Sequence, residues 1–316
     1  MEDQNFFTPP SIPQETISWL LRSQTPSIRY LTLTNLLHKP AHDPEVLAAK
    51  TQIPISKPVS AILSRQDAEG FWAAKKHYYS PKYRSSHWTM LLLTELAVPP
   101  ENPAMQKGAD FMRDALINDK RLENYYSEES PGFFCLWGNW LRYQLYCGRH
   151  EDPAVQKAIE MMCRDIHRLG KCRYNGDLPC AWALIRELNG LALIPKHQRS
   201  SEVEKAIQRG IEFIIEDHDL VAADYPVIEK VHHLWYSLSF PLFYHTDILF
   251  TLRVLKALDA LDHPNAISAL KWLKNKQTKK GIWTGGSPFK KNSRPFLAAP
   301  DTHNHWITLL AASIFS

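Results

Sequence analysis

The 316-residue sequence has no apolar run approaching the roughly 20 residues that a membrane-crossing helix needs. Its opening residues, MEDQNFFTPPSIPQ, lack the basic start and apolar stretch of a secretory leader. Both absences point to a cytoplasmic protein without an integral membrane segment. Neither sign of charge dominates: 37 basic residues face 33 acidic ones, a formal net charge of +4, which argues against a nucleic-acid binder. Cysteine is scarce. Cys135, Cys147, Cys163, Cys172 and Cys180 are odd in number and confined to one stretch of a large chain, so they read as reduced thiols rather than a disulfide framework. Hydrophobic residues at 44% and charged residues at 22% are ordinary for a globular protein and supply a core. Aromatics and proline are plentiful, with 10 Trp, 12 Tyr, 13 Phe and 22 Pro, and they fall at recurring places.

One kind of helix start recurs: DPEVLAAK from Asp43, ENPAMQKGADFM from Glu101, EDPAVQKAIEMM from Glu151, SSEVEKAIQRGIEFI from Ser200 and DHPNAISALKWL from Asp262. Asp, Asn or Ser caps the first free amides, and Pro44, Pro103, Pro153 and Pro264 suit the first helical position, where no amide hydrogen is needed. A second kind alternates with it: SIRYLTLTNLL, SHWTMLLLTELA, CLWGNWLRYQLY, CAWALIRELNGLAL, YHTDILFTLRVLKAL and HNHWITLLAASIF. These are apolar around most of their circumference and therefore buried. With an opening helix near residues 14–24, the order predicts six hairpins, outer helix then inner helix, in an (α/α)6 toroid that takes up residues 1–316 as one domain, with 1–12 as a flexible arm. Links from inner to outer helices are short. The links from outer to inner, roughly 65–85, 118–134, 169–179, 218–241 and 277–302, are long and gather over the N-termini of the inner helices, whose positive dipole ends suit an anionic group.

Two of the long links open on one phrase, QDAEGFW from Gln66 and QTKKGIW from Gln277, the second preceded by WLKNK. Here Gln bonds exposed backbone, Gly permits a tight turn and Trp stacks across to the next hairpin. The phrase resembles the Gln-Trp repeats of the terpenoid cyclase and protein prenyltransferase superfamily. Residues 272–283 match the repeat throughout, and the copy ending at Trp72 departs only in having Ala61 at its aromatic position. With the helix order, the resemblance spans nearly the whole chain. It implies an isoprenoid or other apolar ligand in a central cavity, with a prenyl diphosphate as one candidate. The Asp-x-Asp-Asp acid of the cyclases is missing; DHDL at Asp217–Leu220 is the nearest string and falls at the end of an outer helix.

The prenyltransferase branch implies zinc held by Asp177, Cys180 and His245, because GDLPCAW and FYHTD resemble that family's ligand strings; three such ligands leave a fourth position open. The Asp-x-x-Cys spacing departs from the family's Asp-x-Cys. If metal is not used, Asp247 becomes the preferred proton donor, with His303 and His305 beside it at the rim, since a carboxylate within ILFTLRVL must be paired or protonated. The alternative for Asp247 is a structural pair with Arg29, Arg142 or Arg186. Trp88, Trp137, Trp182, Tyr244 and Trp306 recur near the starts of inner helices and are the candidate ligand-binding wall. The basic and aromatic strings from Lys75, His232 and Phe289 are candidate diphosphate contacts. A non-catalytic toroid, a ligand carrier or protein-binding scaffold, remains the competing class.

Overall fold

The computed structural model describes residues 7–119, 134–169, 179–217, 220–221, 232–289 and 302–316. These residues form thirteen α-helices and no strand. The helices are α1 Gln14–Leu21, α2 Pro26–Asn35, α3 Pro44–Gln52, α4 Lys57–Leu63, α5 Ser86–Glu95, α6 Pro103–Ile117, α7 Phe134–Tyr146, α8 Pro153–His167, α9 Ala181–Leu191, α10 Ser201–Glu212, α11 Ile248–Ala257, α12 Ala266–Asn275 and α13 Thr302–Ala312. Among the described residues, no helix is long and apolar enough to cross a membrane.

Four of the five recurring starts fold as the sequence predicts. The side chains of Asp43, Asn102, Asp152 and Ser200 accept the first-turn amides of Glu45, Ala104, Ala154 and Val203. The equivalence extends further, because Gln106 and Gln156 each reach back six residues, donating to the carbonyls of Pro100 and His150 at 2.7 and 2.6 Å. The fifth start differs. Its helix begins at Ala266, beyond Pro264, and His263 Nδ1 takes the amide of Asn265 in place of a carboxylate cap. The amphipathic helix expected from Asp43 is also broken in two: its chain turns over Ile53–Ser56, and α4 resumes with Pro58 in its first turn, where the missing amide costs nothing.

The apolar set is buried as expected except for α2, which buries only Pro26, Ser27, Ile28, Thr32 and Leu33. Ser86–Thr94 of α5 and Ala183–Leu191 of α9 are buried at every position, and α11 and α13 are buried along most of their length. Successive members of this set touch, α5 on α7, α7 on α9, α9 on α11, α11 on α13 and α13 on α2, while α2, α5, α7, α9 and α11 each also pack on an amphipathic neighbour. The closest approach is α7 on α9. A Cβ at Gly138 would lie 2.5 Å from the Arg186 carbonyl carbon and the Glu187 amide nitrogen, so glycine is what lets these two backbones meet.

The two Gln-Trp phrases adopt one geometry. Gly70 and Gly281 both have positive φ, +92° and +73°. Trp72 Nε1 donates to Ile62 O at 2.9 Å and Trp283 Nε1 to Leu273 O at 2.8 Å, ten residues back in each case. Each Trp amide donates to a hydroxyl on an apolar helix, Ser86 Oγ at 2.9 Å and Thr308 Oγ1 at 3.0 Å. Gln66 bonds Ala104 O at the start of α6, and Gln277 bonds Ser11 O just before α1. A third tryptophan, Trp235, donates to Leu220 O at 3.0 Å without the Gln or Gly of the phrase. Of the arm expected over 1–12, residues 7–12 are held against the other end of the chain: Lys274 Nζ donates to Thr8 O at 2.7 Å and Phe7 lies against Phe315. Ser316 Oγ likewise donates to Asn35 O at 3.0 Å.

Candidate functional site

The predicted aromatic residues fall into one joined group and two outliers. Trp88, at the start of α5, donates from Nε1 to Tyr79 O at 2.8 Å and packs edge to face on Phe243, with ring centroids 5.6 Å apart. Tyr83 lies 5.0 Å from Phe243 and 4.3 Å from Phe289, closing the group from the loop side. Trp182, at the start of α9, stands edge-on to His232 and His245, 5.0 Å from each, and Tyr244 lies 3.9 Å from His245. Lys82 Nζ sits over the Tyr244 ring at 4.9 Å. Trp306 is outside this group, stacked on Phe240 at 4.2 Å, and Trp137 packs on Trp140 at 5.5 Å deeper along α7.

The expected polar residues occupy the starts of α9, α11 and α13 and the loop before α11. His305 stacks on Trp19 of α1 at 3.8 Å, which aligns it with the α1–α13 joint. His303 also begins α13. Cys180 is a buried N-cap residue of α9, and Asp177 lies outside the described residues. Cys180 and His245 are thus the described part of the expected zinc set. Among the described residues, no group of three His, Cys, Asp or Glu side chains is arranged to hold a metal ion.

Asp247 is the N-cap of α11 rather than a residue within it. Oδ1 accepts from Phe250 N at 2.7 Å and Oδ2 from Ser239 N at 3.1 Å, so the carboxylate ties the preceding loop to the helix start. The three arginines considered as its partners turn to backbone carbonyls instead: Arg29 to Ser23 O, Arg142 to Asn189 O and Arg186 to His245 O. Burial pushes Asp247 up to about 7, against the downward pull of its two amides and of Arg253 and Arg186. The protonated group therefore adds stability that is fully present below the ordinary carboxylate value and lost as pH rises through about 7. Asp247→Asn, which cannot ionise, is expected to gain on the parent protein in melting temperature between pH 4 and pH 8. Parallel melting profiles across that range would refute the elevated titration.

Glu95, His87, Asp165 and Glu187 escaped the sequence reading, and Arg186 entered it only as a possible partner of Asp247. Glu95 at the end of α5 pairs with Arg253 of α11 at 2.9 Å, and the charges of Arg142 and Arg186 also hold its carboxyl low. Arg186 lies fully buried, its guanidinium carbon 3.9 Å above the Phe250 ring. His87, also fully buried, meets the Tyr143 hydroxyl at 3.2 Å through Nδ1 and is depressed to about 3 by burial and by Arg186. A buried pair of carboxyls, Asp165 and Glu187, joins α8 to α9, and burial together with Asp165 pushes Glu187 well up. One signal was available: His precedes Trp at the start of two apolar helices, His87-Trp88 and His305-Trp306.

Compared with protein-family models the chain has no match, and comparison with curated proteins finds no relative.

Proposed function

We propose that the chain is an (α/α)6 toroid of the terpenoid cyclase and prenyltransferase type that binds an isoprenoid-like apolar ligand at the aromatic end of its buried helices. Support for the closed ring comes from the matched Gln-Trp joints: α12 meets α1 through the same bonds by which α4 meets α6. The observation that carries the ligand reading is the convergence of Trp88, Trp182, Tyr83, Tyr244 and Phe243 from α5, α9 and two loops into one cluster. Such a wall offers apolar area and π faces with few competing hydrogen-bond groups. His245 is its polar element. Burial and the neighbouring Arg186 lower its pKa to about 3, so it is a neutral imidazole at physiological pH.

Zinc remains part of this proposal only as far as Cys180 and His245 go; bound there, it would supply Lewis acidity to a thiol or water. A second reading, a ring that binds without catalysing, is favoured by the complete burial of Phe243 and by the commitment of both Asp247 oxygens to backbone amides. The test is titration of the tryptophan fluorescence with farnesol. Saturable quenching at micromolar concentration, weakened at least tenfold in Trp182→Ala, is the expected result. A flat titration would leave the protein-binding scaffold standing.

A further inference from the structure

Arg186 is an internal cation that the fold does not neutralise. Its Nη2 donates to the His245 carbonyl, while Nε and Nη1, both buried, have no hydrogen-bond partner. Glu95, the carboxylate that acts on it most strongly, makes its close contact with Arg253 instead. Even with burial drawing the guanidinium down to about 9, it keeps its proton at neutral pH. Left bare, buried donors destabilise the fold, and a charged group does so more strongly.

Three other unsatisfied groups belong to the segments around it. Among the described residues, His87 Nε2 on α5 has no partner, and Arg186 is the charge that acts on that ring. His245 Nδ1 has none, and Arg186 is the strongest charge acting there too. Thr246, next along the chain and fully buried, has an unpartnered hydroxyl. The Tyr143 hydroxyl can donate to His87 Nδ1, and in that tautomer the ring proton sits on Nε2, where it can be donated. One guanidinium, two neutral imidazoles and a hydroxyl form a set of donors around a single positive charge.

We propose that Arg186, His87, His245 and Thr246 form an internal binding site for a carboxylate. The single uncompensated charge matches one carboxylate group, whereas a diphosphate would bring about three charges into the same space. The approach passes groups of increasing depth: the Lys82 cation is exposed over Tyr244, the neutral His245 ring is half-buried, and the Arg186 cation is fully buried. Lys82 acts on His245 electrostatically, so an entering anion meets favourable potential before it reaches Arg186. The carboxylate comes either as a small free acid or as the head group of an apolar acid whose tail lies in the aromatic cluster. Only the second source depends on the ligand reading above.

Calorimetric titration of the full chain with acetate, with palmitate and with farnesol separates these possibilities. At least one of the two carboxylates is expected to bind, with affinity reduced tenfold or more in Arg186→Met and in the near-isosteric Thr246→Val, which keeps the test open if loss of Arg186 prevents folding. Farnesol affinity should be unchanged by Thr246→Val. Binding of acetate as tight as that of palmitate assigns the site to a small acid; much tighter binding of palmitate assigns it to a head group. Failure of both carboxylates to bind the parent protein, or undiminished binding by Thr246→Val and Arg186→Met, would overturn the site. Failure of farnesol alone would overturn only the isoprenoid reading.

Discussion

Replacing Gly138 with alanine is expected to destabilise the protein by about 3 kcal/mol, the upper part of the range for forcing atoms into a packed interior. The atoms that a Cβ would strike, at 2.5 to 2.6 Å, are the carbonyl group of Arg186 and the amide nitrogen of Glu187. They are backbone, and they belong to the middle of α9, so no rotamer change can clear them. The contact is reciprocal, because a Cβ at Gly190 would come within 3.0 Å of the Gly138 carbonyl oxygen. Relief therefore requires the two helices to separate along their whole shared length. Gly148→Ala is the matched comparison: that glycine has φ +78° and nothing within 4 Å of the added carbon, so only the left-handed backbone strain of about 1 kcal/mol applies. Urea unfolding of both variants tests the argument. Equal costs would mean that α7 and α9 are not in backbone contact in solution.

Trp283→Ala and Trp72→Ala are expected to cost about 4 kcal/mol each, the usual range for removing a buried tryptophan. Both rings are buried, both indoles donate ten residues back, and both amides reach a hydroxyl on a buried helix. The difference lies in what they join. Trp72 links helices adjacent in sequence, while the loop before Trp283 joins the two ends of the chain: Thr16 Oγ1 donates to Gly281 O at 3.3 Å and a Cβ at Gly281 would meet Pro13 at 2.5 Å. A closed ring requires the second joint to bear as much as the first. If Trp283→Ala costs less than half of what Trp72→Ala costs, the ends merely touch and the ring proposal falls. Proteolysis ahead of α1 should also quicken in Trp283→Ala and not in Trp72→Ala.

The helix starts at Asp43, Asn102 and Asp152 were legible because each announces itself twice, by a capping side chain and by a proline whose missing amide is harmless in a first turn. Where one of those signals weakens, as at Asp262–Asn265, the predicted boundary moves. The break between α3 and α4 was missed although Pro54 and Pro58 stand there, since the apolar spacing runs on through the interruption. The site was less legible for a physical reason. Membership in the aromatic cluster depends on which way a loop folds back, so Trp88, Trp182 and Tyr244 were found whereas Tyr83 and Phe289 were read only as parts of basic strings. Asp247 was correctly singled out as a buried carboxylate, yet its partners are amides, which a sequence does not distinguish from one another. Arg186 was seen only as a possible partner for that carboxylate; its surplus of donors emerges once the neighbours of every nitrogen are known.

The backbone contact between α7 and α9 also has a mechanical meaning. Two helices touching main chain to main chain have no compressible side-chain layer between them, so this sector behaves as a stiff rib. Where helices meet through side chains, those side chains can change rotamer or the helices can shear past one another. Any widening that admits a guest must then be taken up on the α5, α11 and α13 sides, and Arg186, seated on the rib, stays in place while the walls around it move.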